Sequence, residues 1–194
     1  MEIFEQAYHD WPPPWEIGRA QHEFVALEEA GEIAGDVLDV GCGTGENALY
    51  LSECDHEVWG VDAVPAAIER GRQKAEERGL TTPFLVQDAL ALEGLGRTFD
   101  TIIDSGLFHA LSDADRPRFV SSLGSVLLPG GNFFLLAISD LDSEGPAVLR
   151  VTQQDIRTAF ADGWRVNWIR PAAFENLVRP DAPSRAWLSS ITRM

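Results

Sequence analysis

Residues 36–45 read DVLDVGCGTG, and this stretch decides the fold. Its valines and leucine form a short apolar run, which predicts a buried strand of a parallel sheet with Asp39 near its carboxyl end. Gly41, Gly43 and Gly45 follow and predict a turn without side chains. Through such a turn a ligand approaches the backbone and meets the amide groups of a helix that starts near Gly45. The stretch therefore predicts a cofactor site.

The spacing of these glycines separates the cofactor classes that use such turns. A dinucleotide fingerprint needs G-x-G-x-x-G, but position 46 holds glutamate. A nucleotide-binding Walker loop needs lysine before Ser or Thr, and the only lysine of the chain is Lys74. A nicotinamide-dependent reductase would also need a Tyr/Lys pair, whereas Tyr8 and Tyr50 have no lysine near them in the sequence. The glycine spacing and the position of the lysine therefore fit none of these three classes.

An acidic residue two places before G-x-G-x-G resembles the first motif of class I methyltransferases. In that family the glycine turn holds the amino-acid end of S-adenosylmethionine, so the resemblance implies that Asp39, Gly41 and Gly43 contact this cofactor. A second predicted strand, 57–62, ends in Asp62, seventeen residues beyond Gly45. A carboxylate at this place accepts hydrogen bonds from ribose hydroxyls.

The third predicted strand, 83–87, is followed by Asp88 and Ala89. The resemblance assigns an acidic residue here to the exocyclic amine of adenine. It also implies that Ala63, Ala89 and Ser105 line the cofactor. A structural alternative stays open, for Asp88 above all, because Asp caps helices and Gly permits positive φ in ordinary strand-to-helix turns.

The rest of the chain predicts alternating helices and strands. Helices are expected over 45–54, 64–79, 113–128 and 152–162, and strands over 99–106, 132–138, 164–169 and 186–193, with Pro129-Gly130-Gly131 stopping a helix. The Pro-bearing stretch 171–183 separates the last two strands, which are expected to pair antiparallel. The resemblance implies an α/β, Rossmann-like seven-stranded class I methyltransferase sheet with helices on both faces. This domain spans 36–194, after an N-terminal lid and helix at 1–35.

Residues 9–19, HDWPPPWEIGR, combine two tryptophans with a stiff proline run, which suits a lid over a site. The PWEIG core resembles the PW-acid-x-G segment of small-molecule thiol, thiopurine and halide methyltransferases. This resemblance places Trp15 near the methionyl part of the cofactor and Arg19 against its carboxylate, with Trp11 at the acceptor. The alternatives are a strap that simply packs on the domain and a surface arginine.

Residues 104–109, DSGLFH, follow the fourth strand and lack the Asn/Asp-Pro-Pro-aromatic motif that holds amines. We therefore expect a small soft acceptor, a thiol or halide, which needs no general base. A hydroxylated aromatic is the alternative, with His109 as the best-placed base, His9 near the lid as a second candidate, and Phe108 as an apolar wall. His109 could instead orient structure and Phe108 could pack. A non-catalytic S-adenosylmethionine-binding protein also stays open.

Composition limits the partners. The chain has 194 residues and a net charge of −16, which suits one domain and disfavours nucleic acid as a partner. No apolar run reaches the about 20 residues of a membrane span, and residues 1–15 lack the features of a signal peptide, so we expect a cytoplasmic protein that is a monomer or homodimer. Cys42 and Cys54 suggest neither a disulfide framework nor a metal set, and Cys42 is expected to pack.

Overall fold

A computed structural model describes residues 6–8, 12–142 and 150–194. The strands are β1 Val37–Val40, β2 Val58–Asp62, β3 Phe84–Val86, β4 Phe99–Ser105, β5 Leu127–Ile138, β6 Trp164–Phe174 and β7 Ser184–Arg193. The helices are α1 His22–Glu29, α2 Glu46–Glu53, α3 Pro65–Glu77, α4 Leu107–Ala110, α5 Arg116–Val126 and α6 Gln153–Ala159, with a 3-10 helix at Ala89–Leu95. In the part of the chain so described, no helix combines the length and apolarity needed to cross a membrane.

The strands form one sheet in the order β3-β2-β1-β4-β5-β7-β6. Strands β1 to β5 run parallel, and β7 runs antiparallel to both β5 and β6. The predicted seven-stranded α/β sheet with an antiparallel terminal pair is therefore confirmed. The order reverses between β1 and β4, and in an open sheet the ligand binds at the carboxyl ends of the strands beside such a reversal.

Apolar side chains cover the sheet on both faces because successive residues of a strand point to opposite sides. Val37 lies in one buried cluster with Phe24 of α1, Leu49 of α2 and Ile68 of α3. Leu38 lies in the other, to which α5 and α6 contribute Phe119, Leu123 and Ile156. Helices therefore cover both faces, as predicted, and α1 shares the core of the sheet.

Strand β5 begins at Leu127, five residues before its predicted start at Asn132. Its pairing with β4 jumps from Phe99–Leu127 to Thr101–Asn132, so the Pro-Gly-Gly segment at 129–131 bulges out of the ladder. The prediction that this segment separates helix from strand was therefore wrong. Helix α5 ends at Val126, and the strand starts at once.

Strand β6 continues to Phe174, through a proline that we expected to lie between strands. Pro171 is paired with Trp187 of β7, and β6 is the edge strand of the sheet. Proline lacks a backbone N–H and is tolerated at an edge, where only one side of the strand has a partner. The pairing also shifts register between Val166 and Trp168, which leaves a bulge at Asn167.

Candidate active site

The glycine turn joins β1 to α2 at the reversal of the sheet. Cys42 donates its N–H to the carbonyl oxygen of Val61 at 2.9 Å, so the turn also contacts the end of β2. Gly45 has a φ of 84°, and a Cβ atom there would lie 2.3 Å from the Phe84 ring. Only glycine combines this backbone conformation with such close packing. Helix α2 then starts at Glu46, as the sequence predicts.

Asp39 is fully buried below this turn. Neither of its carboxylate oxygens has a hydrogen bond of ordinary geometry among the described residues, and a weaker contact with the backbone N–H of Ala48 only partly offsets the burial. Burial raises its pKa to about 8, and the nearby charge of Asp104 adds to the effect. A buried carboxylate without a partner is costly unless a donor reaches it. The ammonium group of an amino acid supplies such donors, so the residues present fit the methionyl end of S-adenosylmethionine.

Asp62 links the end of β2 to the glycine turn. One carboxylate oxygen accepts the N–H of Gly43 at 3.0 Å, and the other accepts the N–H of Val64 at 2.8 Å. Burial raises the pKa of this carboxyl group. Each oxygen keeps a second lone pair, which is what a pair of ribose hydroxyls requires. Ala63 is half-buried beside it. The geometry suits the predicted ribose role, which stays a prediction.

Asp88 is exposed and caps the 3-10 helix that begins at Ala89. Its Oδ1 accepts the N–H of Leu90 at 2.9 Å. Asp88 therefore caps a helix, which is the structural alternative to a contact with the cofactor. Its predicted contact with adenine is untested, because the second oxygen and the exposed position leave room for both roles.

Asp104 is fully buried at the end of β4, where it holds the start of α4. Its two oxygens accept the N–H groups of Leu107 at 2.7 Å and Phe108 at 3.0 Å. Burial raises its pKa to about 7. Ser105, the last residue of β4, is half-buried, and its predicted contact with the cofactor stays a prediction.

His109 does not have the geometry of a general base. Its Nδ1 accepts the backbone N–H of Ile138 at 3.1 Å, so the proton of the neutral ring is on Nε2. Burial, reinforced by the charge of Arg116, lowers its pKa to about 4. One nitrogen is thus engaged and the other already carries a proton. This geometry favours the alternative that His109 orients structure, and its role as a base stays a prediction that the geometry does not support.

Phe108 packs in the core, as the structural alternative has it, and its predicted contact with the acceptor stays a prediction. Its ring is fully buried, with ring centroids 6.3 Å from Phe119 and 5.9 Å from Phe160. The side chain belongs to the cluster between the sheet and α5. The sequence pattern does not distinguish a loop phenylalanine that packs inward from one that faces a ligand. Trp11, the other predicted acceptor contact, lies outside the described residues.

Two aromatic side chains lie over the glycine turn. Trp15 belongs to residues 12–21, which we call the strap, and Tyr8 precedes the strap. Trp15 donates its Nε1–H to the Tyr8 hydroxyl at 3.1 Å, and the two rings meet edge to face. Tyr8 is only 4% exposed, and a Cβ atom on Gly43 would lie 2.8 Å from its hydroxyl. Tyr8 therefore covers the turn, with Trp15 beside it. Sequence reasoning missed Tyr8, whose only signal was its place just before the aromatic and proline-rich segment.

Arg19 has a partner within the protein. Its guanidinium makes two hydrogen bonds to the carboxylate of Glu175, at 3.0 and 2.7 Å, and its side chain is 61% exposed. The alternative of a surface arginine describes this geometry better than the predicted contact with the cofactor carboxylate. We therefore leave Arg19 out of the proposed site.

The strap also contacts the loop between β6 and β7. Gln21 and Glu175 exchange hydrogen bonds between side chain and backbone at 2.9 and 3.0 Å, and Leu177 donates its N–H to the carbonyl of Pro14 at 2.7 Å. At its other side, the N–H of Gln21 reaches Asn47 of α2 at 2.9 Å. The strap thus joins the cofactor turn to the hairpin of the terminal strands.

Cys42 packs inside the turn, as predicted. A Cβ atom on Gly60 would lie 3.1 Å from its sulfur, and burial raises the pKa of its thiol. No group of His, Cys, Asp or Glu among the described residues is arranged to hold a metal ion.

Comparison with known proteins defines the class. Residues 37–131 match the family described as "Methyltransferase domain". The chain is 39% identical over 186 residues to the 2-heptyl-1-hydroxyquinolin-4(1H)-one methyltransferase of Mycobacteroides abscessus, with 89% of this chain and 80% of that protein covered. The chain therefore belongs to the class I S-adenosylmethionine-dependent methyltransferases. It is an enzyme whose methyl donor is S-adenosylmethionine.

Two further proteins resemble the chain over most of its length. A solved structure reported under "Conversion of a Disulfide Bond into a Thioacetal Group during Echinomycin Biosynthesis" superposes with a TM-score of 0.90 and 35% identity, covering 99% of this chain and 92% of that one. The probable thiol methyltransferase 2 of Arabidopsis thaliana is 30% identical over 151 residues, with 74% of this chain and 65% of that protein covered.

Proposed function

We propose that this methyltransferase acts on a small molecule whose nucleophilic atom reacts without a protein base. The preferred candidate for this atom is a thiol sulfur. The observation that carries the proposal is the hydrogen bond from the N–H of Ile138 to Nδ1 of His109, at 3.1 Å. This bond occupies the nitrogen lone pair with which the ring would abstract a proton, and it supports a reaction without His109 as the base. His9, the second candidate for a base, lies outside the described residues. We therefore expect an acceptor that is largely ionised, or nucleophilic while neutral, when it binds.

The proposed cofactor site consists of the glycine turn and the carboxyl ends of β1 to β4. The residues that we assign to it are Asp39, Gly41, Gly43, Asp62, Ala63, Asp88, Ala89 and Ser105, with Tyr8 and Trp15 as its cover. S-adenosylmethionine supplies an already activated methyl group. The task left to the protein is to align donor and acceptor and to exclude water.

A thiol suits this arrangement for a chemical reason. Its ordinary pKa of about 8.5 leaves a small fraction as thiolate at neutral pH, and the thiolate is an intrinsically strong nucleophile. The resemblance to the thiol methyltransferase of Arabidopsis thaliana supports this class of acceptor. A halide, which is always an anion, meets the same requirement.

An acidic hydroxyl is the second candidate. The Mycobacteroides abscessus relative is named for a substrate with a hydroxyl group on a quinolinone ring nitrogen, and it is 39% identical to this chain. A hydroxyl that ionises near neutral pH would need no base either. An ordinary alcohol would need one, so we do not expect an alcohol as acceptor.

The test is a set of acceptors that differ in pKa: aromatic thiols, alkyl thiols, iodide, N-hydroxy heteroaromatics and phenols. We expect the pH profile of kcat/KM to follow the pKa of each acceptor, and iodide to give a flat profile near neutrality. His109→Asn should lower kcat by roughly threefold or less, through packing, because no proton transfer is lost. His22→Asn, at an exposed histidine, is the matched control.

Two results would contradict the proposal. A loss of about 10²–10⁴-fold in the kcat of His109→Asn, with a pH profile that does not change with the pKa of the acceptor, would show that His109 is a base. Binding of S-adenosylmethionine without turnover of any acceptor in the set would show that the acceptor belongs to another class.

A further inference from the structure

Lys74 of α3 contacts three different parts of the cofactor region. Its ammonium nitrogen lies 3.1 Å from Oε1 of Glu16 in the strap, 2.6 Å from the hydroxyl of Thr44 in the glycine turn, and 2.7 Å from Oε1 of Glu46, the first residue of α2. The side chain of Lys74 is 21% exposed, and those of Glu16 and Glu46 are 7% and 11% exposed. The cluster is therefore largely shielded from water.

The residue type at this position is informative. The chain contains one lysine and fourteen arginines, and its lysine stands where three acceptors meet around a single nitrogen. An ammonium group donates three hydrogen bonds in tetrahedral directions, whereas a guanidinium is a planar fork that suits two parallel acceptors. Three acceptors from three separate elements match the first geometry.

The same cluster determines where the strap lies. The Thr44 hydroxyl donates a hydrogen bond to the second carboxylate oxygen of Glu16 while it accepts one from Lys74. Glu46 is also bound by Arg78, at 2.7 Å. Glu16 directly follows Trp15, which bonds to Tyr8 above Gly43. The position of Glu16 thus determines the position of the two aromatic rings over the turn.

We propose that Lys74 is a positioning residue of the cofactor site, which holds Glu16 of the strap against Thr44 so that Tyr8 and Trp15 cover the glycine turn. It acts through the strap and makes no contact with the cofactor itself. The proposal rests on the assignment of the glycine turn to S-adenosylmethionine. Its consequence for the strap can nevertheless be measured without any ligand.

The first test is hydrogen exchange of the backbone amides of residues 15–21 in the free protein. Lys74→Met and Lys74→Arg should both speed exchange in this segment by about tenfold or more. Met removes the charge-assisted hydrogen bonds that hold Glu16, and the planar fork of Arg does not fit three acceptors around one nitrogen. Gln73→Met, at the exposed neighbouring residue on α3, is the matched control and should leave exchange unchanged. Unchanged exchange in both Lys74 variants would overturn the proposal.

The second test is the affinity for S-adenosylhomocysteine by calorimetry, with steady-state kinetics. Both Lys74 variants should weaken binding and raise the KM for S-adenosylmethionine by about tenfold, with less change in the KM for the acceptor. In the double variant Glu16→Gln, Lys74→Met, the second change should add little, because both act on one contact. Independent, additive losses would contradict the proposed route through Glu16.

The two assignments fail in different ways. If the unchanged protein does not bind S-adenosylhomocysteine, the cofactor assignment fails, whatever the strap does. If it binds, and Lys74→Arg binds equally well with an unchanged strap, the positioning role of Lys74 fails alone. Lys74→Arg keeps the positive charge, so it can be measured even if Lys74→Met does not fold.

Discussion

The ring of His109 shows how one backbone hydrogen bond sets the chemistry of a residue. The N–H of Ile138 holds Nδ1 as an acceptor, and burial lowers the pKa to about 4. The folded protein therefore favours the neutral ring. This contribution to stability is complete above the ordinary pKa of about 6.5 and is lost as the pH falls through about 4.

We predict that His109 stays neutral, with its proton on Nε2, down to about pH 5. The measurement is a nitrogen-15 NMR titration of the histidine rings, in which the exposed His22 serves as an internal reference. Titration of His109 between pH 6 and 7, or a protonated Nδ1 at neutral pH, would contradict the geometry described above.

Asp39 makes the opposite contribution to the pH dependence of stability. Its pKa in the folded protein, about 8, lies above the ordinary value of about 3.9, so folding favours the protonated acid. Stability from this residue is complete below about pH 4 and is lost as the pH rises through about 8.

We predict that Asp39→Asn is more stable than the unchanged protein at pH 8.5, and that the two converge towards pH 5. The expected gain is about 1–3 kcal/mol, the usual cost of an unsatisfied buried group, and each kcal/mol corresponds to about 2–4 °C in Tm for a chain of this size. Thermal unfolding without ligand measures it, with the exposed Asp55→Asn as control. The same variant should bind S-adenosylhomocysteine more weakly. A loss of stability at pH 8.5 would refute the raised pKa of Asp39 and the cost of its buried carboxylate.

At this scale the sequence predicts the acidic positions better than the aromatic ones. Asp39 and Asp62 lie where strand ends and the glycine spacing place them, because a strand-to-turn junction is a local property. The aromatic residues are harder to predict. The burial of Phe108 and the position of Tyr8 both depend on elements far away in the chain. The role of His109 as a hydrogen-bond acceptor could not be predicted, because it depends on the N–H of Ile138 at the end of β5, which no local pattern indicates.

Among the elements, the glycine turn is the least tolerant of change. At Gly45 a φ of 84° coincides with a Phe84 ring only 2.3 Å from where a Cβ atom would lie, whereas at Gly79 φ is 69° but nothing lies within 4 Å of that place. Substitution at Gly79 would therefore cause backbone strain alone, whereas substitution at Gly45 would add steric overlap with the Phe84 ring.

We predict that Gly79→Ala costs about 1–2 kcal/mol, from the left-handed backbone alone, and that Gly45→Ala costs about 3 kcal/mol or more. Urea unfolding of both variants measures the difference. Equal losses would mean that the Phe84 ring moves aside without cost.

The strap contributes through its buried contacts rather than through its exposed ion pair. Arg19 and Glu175 are bonded at the surface, where such pairs contribute about 0–1 kcal/mol. We predict that Arg19→Gln changes the affinity for S-adenosylhomocysteine by about twofold or less. Calorimetry of Arg19→Gln and of the Lys74 variants under the same conditions compares their affinities for S-adenosylhomocysteine. A loss of tenfold or more would instead return Arg19 to the cofactor carboxylate.

The type and order of most elements follow from periodicity and turn residues, while several of their ends do not. The helix predicted over 64–79 is α3 at Pro65–Glu77, and the strand predicted over 99–106 is β4 at Phe99–Ser105. Strands β5 and β6 are longer than expected, because bulges and an edge position accommodate Pro129 and Pro171. These features depend on the sheet around a residue and not on its neighbours in the chain.

For the whole molecule, the charge of −16 is the dominant electrostatic property. Self-repulsion of this size opposes the compact state and is screened by salt.

We predict that the melting temperature at pH 7.5 rises by roughly 2–4 °C or more between 20 and 500 mM NaCl, equivalent to about 1 kcal/mol. At the isoelectric point, near pH 4.5, the same addition should have little effect. A decrease at pH 7.5 would show that ion pairs such as those of Lys74 outweigh the repulsion.

The bulge and the proline of β6 also bear on how copies of the chain meet. A sheet edge with free N–H and C=O groups is a template on which another chain can add a strand, and this is a route to fibres. At one edge, β3 is only three residues long. At the other, the shift at Asn167 breaks the regular spacing of donors, and Pro171 contributes none. Both edges of the sheet are therefore poor templates, which protects a chain with a 45% hydrophobic composition from polymerising through its own strands.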